Sequence, residues 1–408
     1  MLRIIVSMQR LYEQVILTHF QHHEQMLFLA GPRQVGKTTV ALTLQKHFTQ
    51  HCYLNFDIET DRMIILRGVP AIIERMKFHA LHKQKPLLIL DELHKYKHWK
   101  RFLKGLYDQY KSSMHILITG SAKLNIFQKG GDSLMGRYVL YRMHPLSVSE
   151  LLKRFAIDDV IRQPKKLNQK ECERLMQFGG FPDPYLKQNK RFLTQWNLLR
   201  RQQLFREDIR SLKQVQDIAH IEMLGMLLRE QASHQINYSN LANALHVSAD
   251  TVMRWINILE EFYYCFRIKP WHKNVKRSLV KEPKIYCWDW SEIKDEGARL
   301  ENFAASHLHK AVQYWTDAGF GEYKLHYLRD KEKREVDFLV TRDNAPWFLV
   351  EIKSSDENLS QNLIYHQQQI KAPHAFQAVL KKSFVDIDCF SAKKPVIVPL
   401  MTFLSQLI

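Results

Sequence analysis

The stretch MLFLAGPRQVGKTT, from Met26 to Thr39, decides how the rest of the chain is read. Five apolar residues, Met26–Ala30, have the length and composition of a strand buried on both faces. They run straight into Gly-x-x-x-x-Gly-Lys-Thr, and a helical pattern over Lys37–Phe48 follows at once. Between a strand and a helix, this spacing is a phosphate cradle. Gly31 and Gly36 let the segment Gly31, Pro32, Arg33, Gln34, Val35 and Gly36 turn tightly, so that backbone N–H groups surround an anion. The helix that opens at Lys37, Thr38 and Thr39 adds the positive end of its dipole. Lys37 is placed to reach the β- and γ-phosphates, and the Thr38 hydroxyl to ligate Mg²⁺. ATP and Mg²⁺ are the cofactors expected.

Outward from this loop, Leu87–Leu90 is a second apolar strand, opened by Pro86 and ending in Asp91 and Glu92. Acids at the carboxyl end of a parallel strand lie where open α/β sheets bind ligands. Asp91 would hold the metal through water, and Glu92 would orient or deprotonate the attacking water. The same pair could instead cap a helix. Ile116–Ile118 ends in Thr119, Gly120 and Ser121, where Thr119 is a further candidate for the phosphate and Ser121 a weaker one. Arg137, just before Tyr138–Tyr141, could be an arginine finger acting in trans or a structural arginine.

The strand candidates of this half are Met26–Ala30, Cys52–Phe56, Leu87–Asp91, Ile116–Thr119 and Tyr138–Tyr141, alternating with helical stretches such as Trp99–Tyr110. That alternation predicts a parallel α/β domain over residues 1–155. Residues 156–270 read as helical. Tyr238–His246, the turn Val247–Ser248 and a helix from Ala249 carrying Val252, Trp255, Ile256 and Leu259 have helix-turn-helix spacing, as in a winged helix. The exposed face of that second helix offers Asp250, Thr251, Arg254 and Asn257, only one of them basic, so structural packing and DNA reading both remain open. A more basic stretch follows, with Lys269, His272, Lys273, Lys276, Arg277, Lys281 and Lys284 around Trp271. It is either a solvated charge run or a phosphate-backbone contact.

Strands return over residues 271–408 at Ile285–Trp288, Lys324–Leu328, Val336–Val340, Phe348–Ile352 and Phe376–Leu380. A hairpin symmetric about Asn344 would set Asp337 opposite Glu351, with Lys353 on the same face. Acids so close call for a cation, which implies Mg²⁺ or Mn²⁺. Glu301, on the helix after Gly297, could add a fourth group. Glu301, Asp337, Glu351 and Lys353 resemble the PD-(D/E)xK nucleases, in which such acids bind metal and the lysine positions a water. A plain salt bridge between Glu351 and Lys353 is the simpler alternative.

The 408 residues carry 60 Lys+Arg against 42 Asp+Glu, a net charge of +18, which favours a polyanionic partner. DNA is expected ahead of RNA, and a homo-oligomer is an open possibility. Five cysteines without a CxxC pair argue against a disulfide scaffold or a zinc ribbon and fit a cytoplasmic location. No apolar run reaches the roughly 18 residues of a membrane helix, so integral membrane association is not expected.

Taken together, GPRQVGKTT, LLILDELHKYKHWK, ITGSAKL, LMGRY, HPLSVSELL, GGFPDPYL, GARLENF, REVDFLV and LVEIKSS resemble the AAA+-superfamily ATPases with a C-terminal domain of unknown function, DUF4143. The resemblance implies an α/β P-loop (AAA-type) domain, then a helical/winged-helix domain, then an α+β restriction-endonuclease-like domain. It implies ATP binding more directly than any biological purpose. Where that family's pattern sets Arg next to Asp in the middle domain, this chain has Arg206, Glu207 and Asp208.

Overall fold

The computed structural model describes residues 8–77, 84–121, 134–210, 217–271, 282–355 and 358–408. They divide into two compact units, residues 1–144 with 155–157, and residues 145–154 with 158–408.

The first unit is built on a parallel sheet of β1 (Met26–Ala30), β2 (His51–Asn55), β3 (Leu87–Asp91), β4 (His115–Gly120) and β5 (Tyr138–Arg142). Their order across the sheet is β2-β3-β4-β1-β5. All five residues of β1 and of β3 are buried, as their unbroken apolar runs require when helices cover both faces. On one face Met26, Phe28, Leu88, Leu90, Ile116 and Ile118 pack with Trp99, Leu103 and Leu106 of helix Trp99–Tyr110. The spacing of those three helical residues, four and then three apart, forms the apolar stripe. Parallel register puts the carboxyl ends of β1, β3 and β4 side by side, with Asp91 level with Thr119 and Ala30 level with Gly120. The loops that follow these three strands therefore share one edge of the sheet.

The second unit begins with helices and closes on a seven-stranded sheet. Its strands are β6 (Cys265–Pro270), β7 (Lys284–Cys287), β8 (Tyr323–Arg329), β9 (Glu335–Arg342), β10 (Ala345–Lys353), β11 (His374–Val379) and β12 (Val396–Pro399). They run in the order β12-β11-β10-β9-β8-β6-β7. The boundary expected between residues 270 and 271 falls inside this sheet, because β6 pairs antiparallel with β7 and parallel with β8. Helices Tyr238–Ala244 and Ala249–Glu261 form the expected pair, with Ser248 accepting from the Thr251 N–H and Val252, Trp255, Ile256 and Leu259 buried. Strands β6 and β12 were not anticipated. The first mixes Arg267 and Lys269 into its apolar residues and ends in Pro270, and the second is four residues long.

A buried histidine makes this unit sensitive to acid. His307 Nδ1–H donates to the Phe303 carbonyl at 2.8 Å, and Nε2 accepts the Val148 N–H at 3.1 Å. Burial, the larger cause, and the nearby Lys310 push its pKa down to about 4. Protonation would cost the bond from Val148. The unfolded chain binds this proton near pH 6.5 and the native one only near 4, so stability falls as pH drops through that window, by up to about 3 kcal/mol. Urea midpoints at pH 7 and pH 5 should differ more for wild type than for His307→Gln, and equal differences would remove His307 as a cause.

Candidate functional site

The glycine-rich loop leaves β1 with backbone angles that its sequence makes affordable. Gly36 takes φ +105°, and Gln34 also lies in the left-handed region at +62°. A Cβ on Gly31 would stand 2.4 Å from the Met143 carbonyl oxygen, so only glycine fits there. Lys37 is buried, and its Nζ donates to the carbonyls of Gly31 at 2.9 Å and Pro32 at 2.8 Å. One residue outside the motif braces the loop. The buried Arg10 guanidinium bonds the carbonyls of Val35 at 2.6 Å and His144 at 2.7 Å, tying the loop to the segment after β5.

Asp91 is the centre of the second part. Its Oδ2 accepts from Thr38 Oγ1 and from Tyr53 Oη, each at 2.8 Å. Its Oδ1 accepts from Thr119 Oγ1 and, at 3.0 Å, from the Glu92 N–H. Thr38, Asp91 and Thr119 thus converge as the sequence suggested, and Tyr53 on β2 joins them. Nothing in the sequence marks Tyr53, because a tyrosine inside a strand reads as packing. Burial, then the Asp91 carboxylate, holds its phenol protonated. A carboxylate and a hydroxyl this close, beside an anion cradle, are the hard oxygen donors that Mg²⁺ takes. The residues fit that ion.

Glu92 follows with φ +54°, an uncommon setting for a non-glycine residue. Its Oε2 lies 3.4 Å from Lys95 Nζ and 3.6 Å from His94 Nε2. Burial raises its pKa, against the pull of Lys37 and Lys95. Arg137 is elsewhere. It precedes β5 at the amino edge of the sheet, where its carbonyl accepts from the Met26 N–H, a strand's length from the loop after Ala30. Its guanidinium there pairs with Asp108 through Nε at 2.8 Å and Nη2 at 3.2 Å. The fold does not bring it to the P-loop of its own chain.

In the second unit, Glu301, Asp337, Glu351 and Lys353 do approach one another, by a different route from the symmetric hairpin. The turn is the two-residue Asp343–Asn344, with φ +51° and +64°, and it pairs Arg342 with Ala345. A bulge between Pro346 and Phe348 then shifts the register so that Val350 faces Phe338. Continued by one residue, this sets Glu351 opposite Asp337. Lys353 Nζ lies 2.9 Å from Glu351 Oε1, the salt bridge read as the simpler alternative. Glu351 Oε2 is buried without a hydrogen-bond partner among the described residues. Asp337 Oδ2 accepts the Ile352 N–H at 2.8 Å, and its pKa is pushed up to about 8, first by burial and then by Glu301.

The sequence offered Lys284 as part of a solvated charge run or a phosphate-backbone contact, and its burial corrects both for this residue. Its side chain is 4% exposed, and Nζ lies 3.0 Å from Glu301 Oε1, 2.6 Å from Glu335 Oε1 and 3.9 Å from Asp337 Oδ1. Tyr286 Oη adds a bond to Glu301 Oε1 at 2.7 Å. A positive charge therefore already sits among these acids and offsets part of the repulsion from which a divalent ion was inferred. No group of three or more Asp, Glu, His or Cys side chains among the described residues is arranged to hold a metal. This donor set, engaged by Lys284, does not fit a resident divalent ion. Trp271 is half-buried against the core that includes Leu339 and Leu349, and His272–Lys281 lie outside the described residues.

Known proteins match the chain in three segments. Residues 23–152 match the family described as an AAA domain, residues 169–291 a domain of unknown function (DUF8612), and residues 296–401 a domain of unknown function (DUF4143). An uncharacterized protein of Mycobacterium tuberculosis is 21% identical over 349 residues, covering 84% of this chain and 73% of its own. One of Haemophilus influenzae is 22% identical over 371 residues, covering 84% and 85%. One of Methanocaldococcus jannaschii is 22% identical over 299 residues, covering 64% and 60%. Among solved structures, a Walker-type ATPase of Pyrococcus abyssi overlaps 70% of this chain and 95% of its own, at 14% identity and a TM-score of 0.44. No helix among the described residues is long and apolar enough to cross a membrane. The P-loop and the Asp91 cluster thus lie in the segment that matches an AAA domain, and the C-terminal carboxylate cluster, from Glu301 to Glu351, lies in the segment that matches DUF4143.

Proposed function

We propose that the protein is a Mg²⁺-dependent ATP hydrolase whose nucleotide state governs binding to nucleic acid, DNA first. The observation that carries the hydrolase reading is the Asp91 carboxylate, bonded at once to Thr38, Tyr53 and Thr119 beside a P-loop lysine. Gly31, Gly36 and the loop between them would surround the phosphates, and Lys37 would leave its loop carbonyls for them. Thr38 and Asp91 would hold Mg²⁺, which when bound neutralises phosphate charge. Glu92 would take the proton of the attacking water, a role suited by a carboxylate whose pKa is raised. Arg137 could act only in trans, after leaving Asp108, and that would require a homo-oligomer.

The net charge of +18 supports a polyanionic partner. The exposed face of helix Ala249–Glu261 remains nearly neutral, which favours backbone contact over base reading. Filter binding of DNA and RNA should show salt-sensitive retention that differs between the ATP and ADP states. Equal affinity in both states would defeat the coupling.

Tyr53→Phe removes one donor from Asp91 while keeping the ring. It should weaken Mn²⁺ binding to the ADP complex by about tenfold, as loss of an outer-shell partner commonly does, with little change in thermal stability. Mn²⁺ titration followed by electron paramagnetic resonance reads this, and an unaltered Mn²⁺ affinity would confine Tyr53 to packing.

A further inference from the structure

We infer that Lys284 is the resident cation of the C-terminal carboxylate centre, so that the DUF4143 domain holds its clustered acids without a divalent metal. The strand β7 begins at Lys284 and lies beside β6, and its first side chain turns inward under helix Glu296–Asp317 and toward β9. There the ammonium meets Glu301 from the helix and Glu335 and Asp337 from β9, at 3.0, 2.6 and 3.9 Å. The face of Tyr327 on β8 closes another side, its centroid 5.8 Å from Nζ. With a side chain 4% exposed, this charge has given up its water and is compensated by protein groups alone.

Two properties distinguish the arrangement from a vacant metal site. The three acids, one from the helix and two from β9, converge on one nitrogen, so a cation already stands where a central ion would. Glu351, the remaining acid, is drawn off separately to Lys353 at 2.9 Å. The centre then serves to lock helix Glu296–Asp317, β7 and β9 together, and the domain's part in the proposed function is to bind a polyanion rather than to cleave it with metal. This inference rests on the C-terminal half of that reading alone and is independent of the P-loop.

The test uses the full chain, free of nucleotide, so that a failure of the ATP reading cannot affect it. Wild type in EDTA and in millimolar Mn²⁺ should melt at the same temperature, and electron paramagnetic resonance should detect no tightly bound Mn²⁺. Lys284→Met leaves three acids facing one another without their cation. It should melt roughly 6 °C or more lower in EDTA and recover part of that loss on adding Mn²⁺. Should this variant fail to fold, the wild-type measurement decides alone. Tight Mn²⁺ binding by wild type that Asp337→Asn or Glu351→Gln abolishes would overturn the inference, as would a lower melting temperature of wild type in EDTA that Asp337→Asn no longer shows.

Discussion

Glu92→Gln is expected to reduce ATP turnover about a hundredfold or more while ATP still binds. The amide keeps the shape of the side chain and fits the same backbone, which is already in the left-handed region at φ +54°. It cannot accept a proton. The phosphate cradle, Lys37 and the Asp91 cluster are untouched, so nucleotide affinity should survive. Phosphate release at saturating Mg²⁺-ATP, set beside equilibrium binding of a fluorescent ATP analogue, separates the two effects. Undiminished turnover would show that Glu92 is not the base, and turnover and binding lost together would mark it as structural. Lys37→Ala should differ by weakening binding as well, since it removes the charge that would meet the phosphates.

The largest loss of stability is expected from Glu150→Ala. Lys310 lies on helix Glu296–Asp317 with its side chain 1% exposed, and it pairs with Glu150, whose side chain is equally buried. Lys310 Nζ also donates to Ser147 Oγ at 2.9 Å and to the Pro145 carbonyl at 3.3 Å. Removing the carboxylate strands an ammonium in the core, which typically costs about 3–5 kcal/mol. In a unit of this size that corresponds to a fall in melting temperature of roughly 10 °C. The double variant Glu150→Leu/Lys310→Met should recover most of the loss, because two apolar side chains need no compensation. Calorimetry checks both, and a double variant no more stable than the single one would mean that shape rather than charge dominates here.

The same distinction between local and non-local information runs through the fold. The P-loop, Asp91, Glu92 and Thr119 were legible because they stand at the carboxyl ends of three apolar strands, which parallel pairing sets level. Arg137 lies just before its strand, as the sequence indicated. Its pairing with Asp108, 29 residues away, could not be read from its neighbours in the chain. Tyr53 and Arg10 were invisible for a related reason. Their partners, Asp91 and the carbonyls of Val35 and His144, are 25 to 134 residues away.

The C-terminal centre shows the limit most clearly. Alternation along two strands sufficed to put Asp337, Glu351 and Lys353 on one face, because side chains on a strand repeat every second residue. The register came out right near the acids although the turn was misplaced, since the bulge at Trp347 absorbed the difference of one residue. Lys284 read as one more cation in a basic run.

The sequence by itself determined the nucleotide-binding half, since a phosphate cradle is a contiguous backbone device whose residue types and order are its mechanism. Only the tertiary structure decided which charge answers the carboxylates of the second half. A buried ammonium and its partners are chosen by distance in space, and Lys284 is 17, 51 and 53 positions from Glu301, Glu335 and Asp337 in the chain.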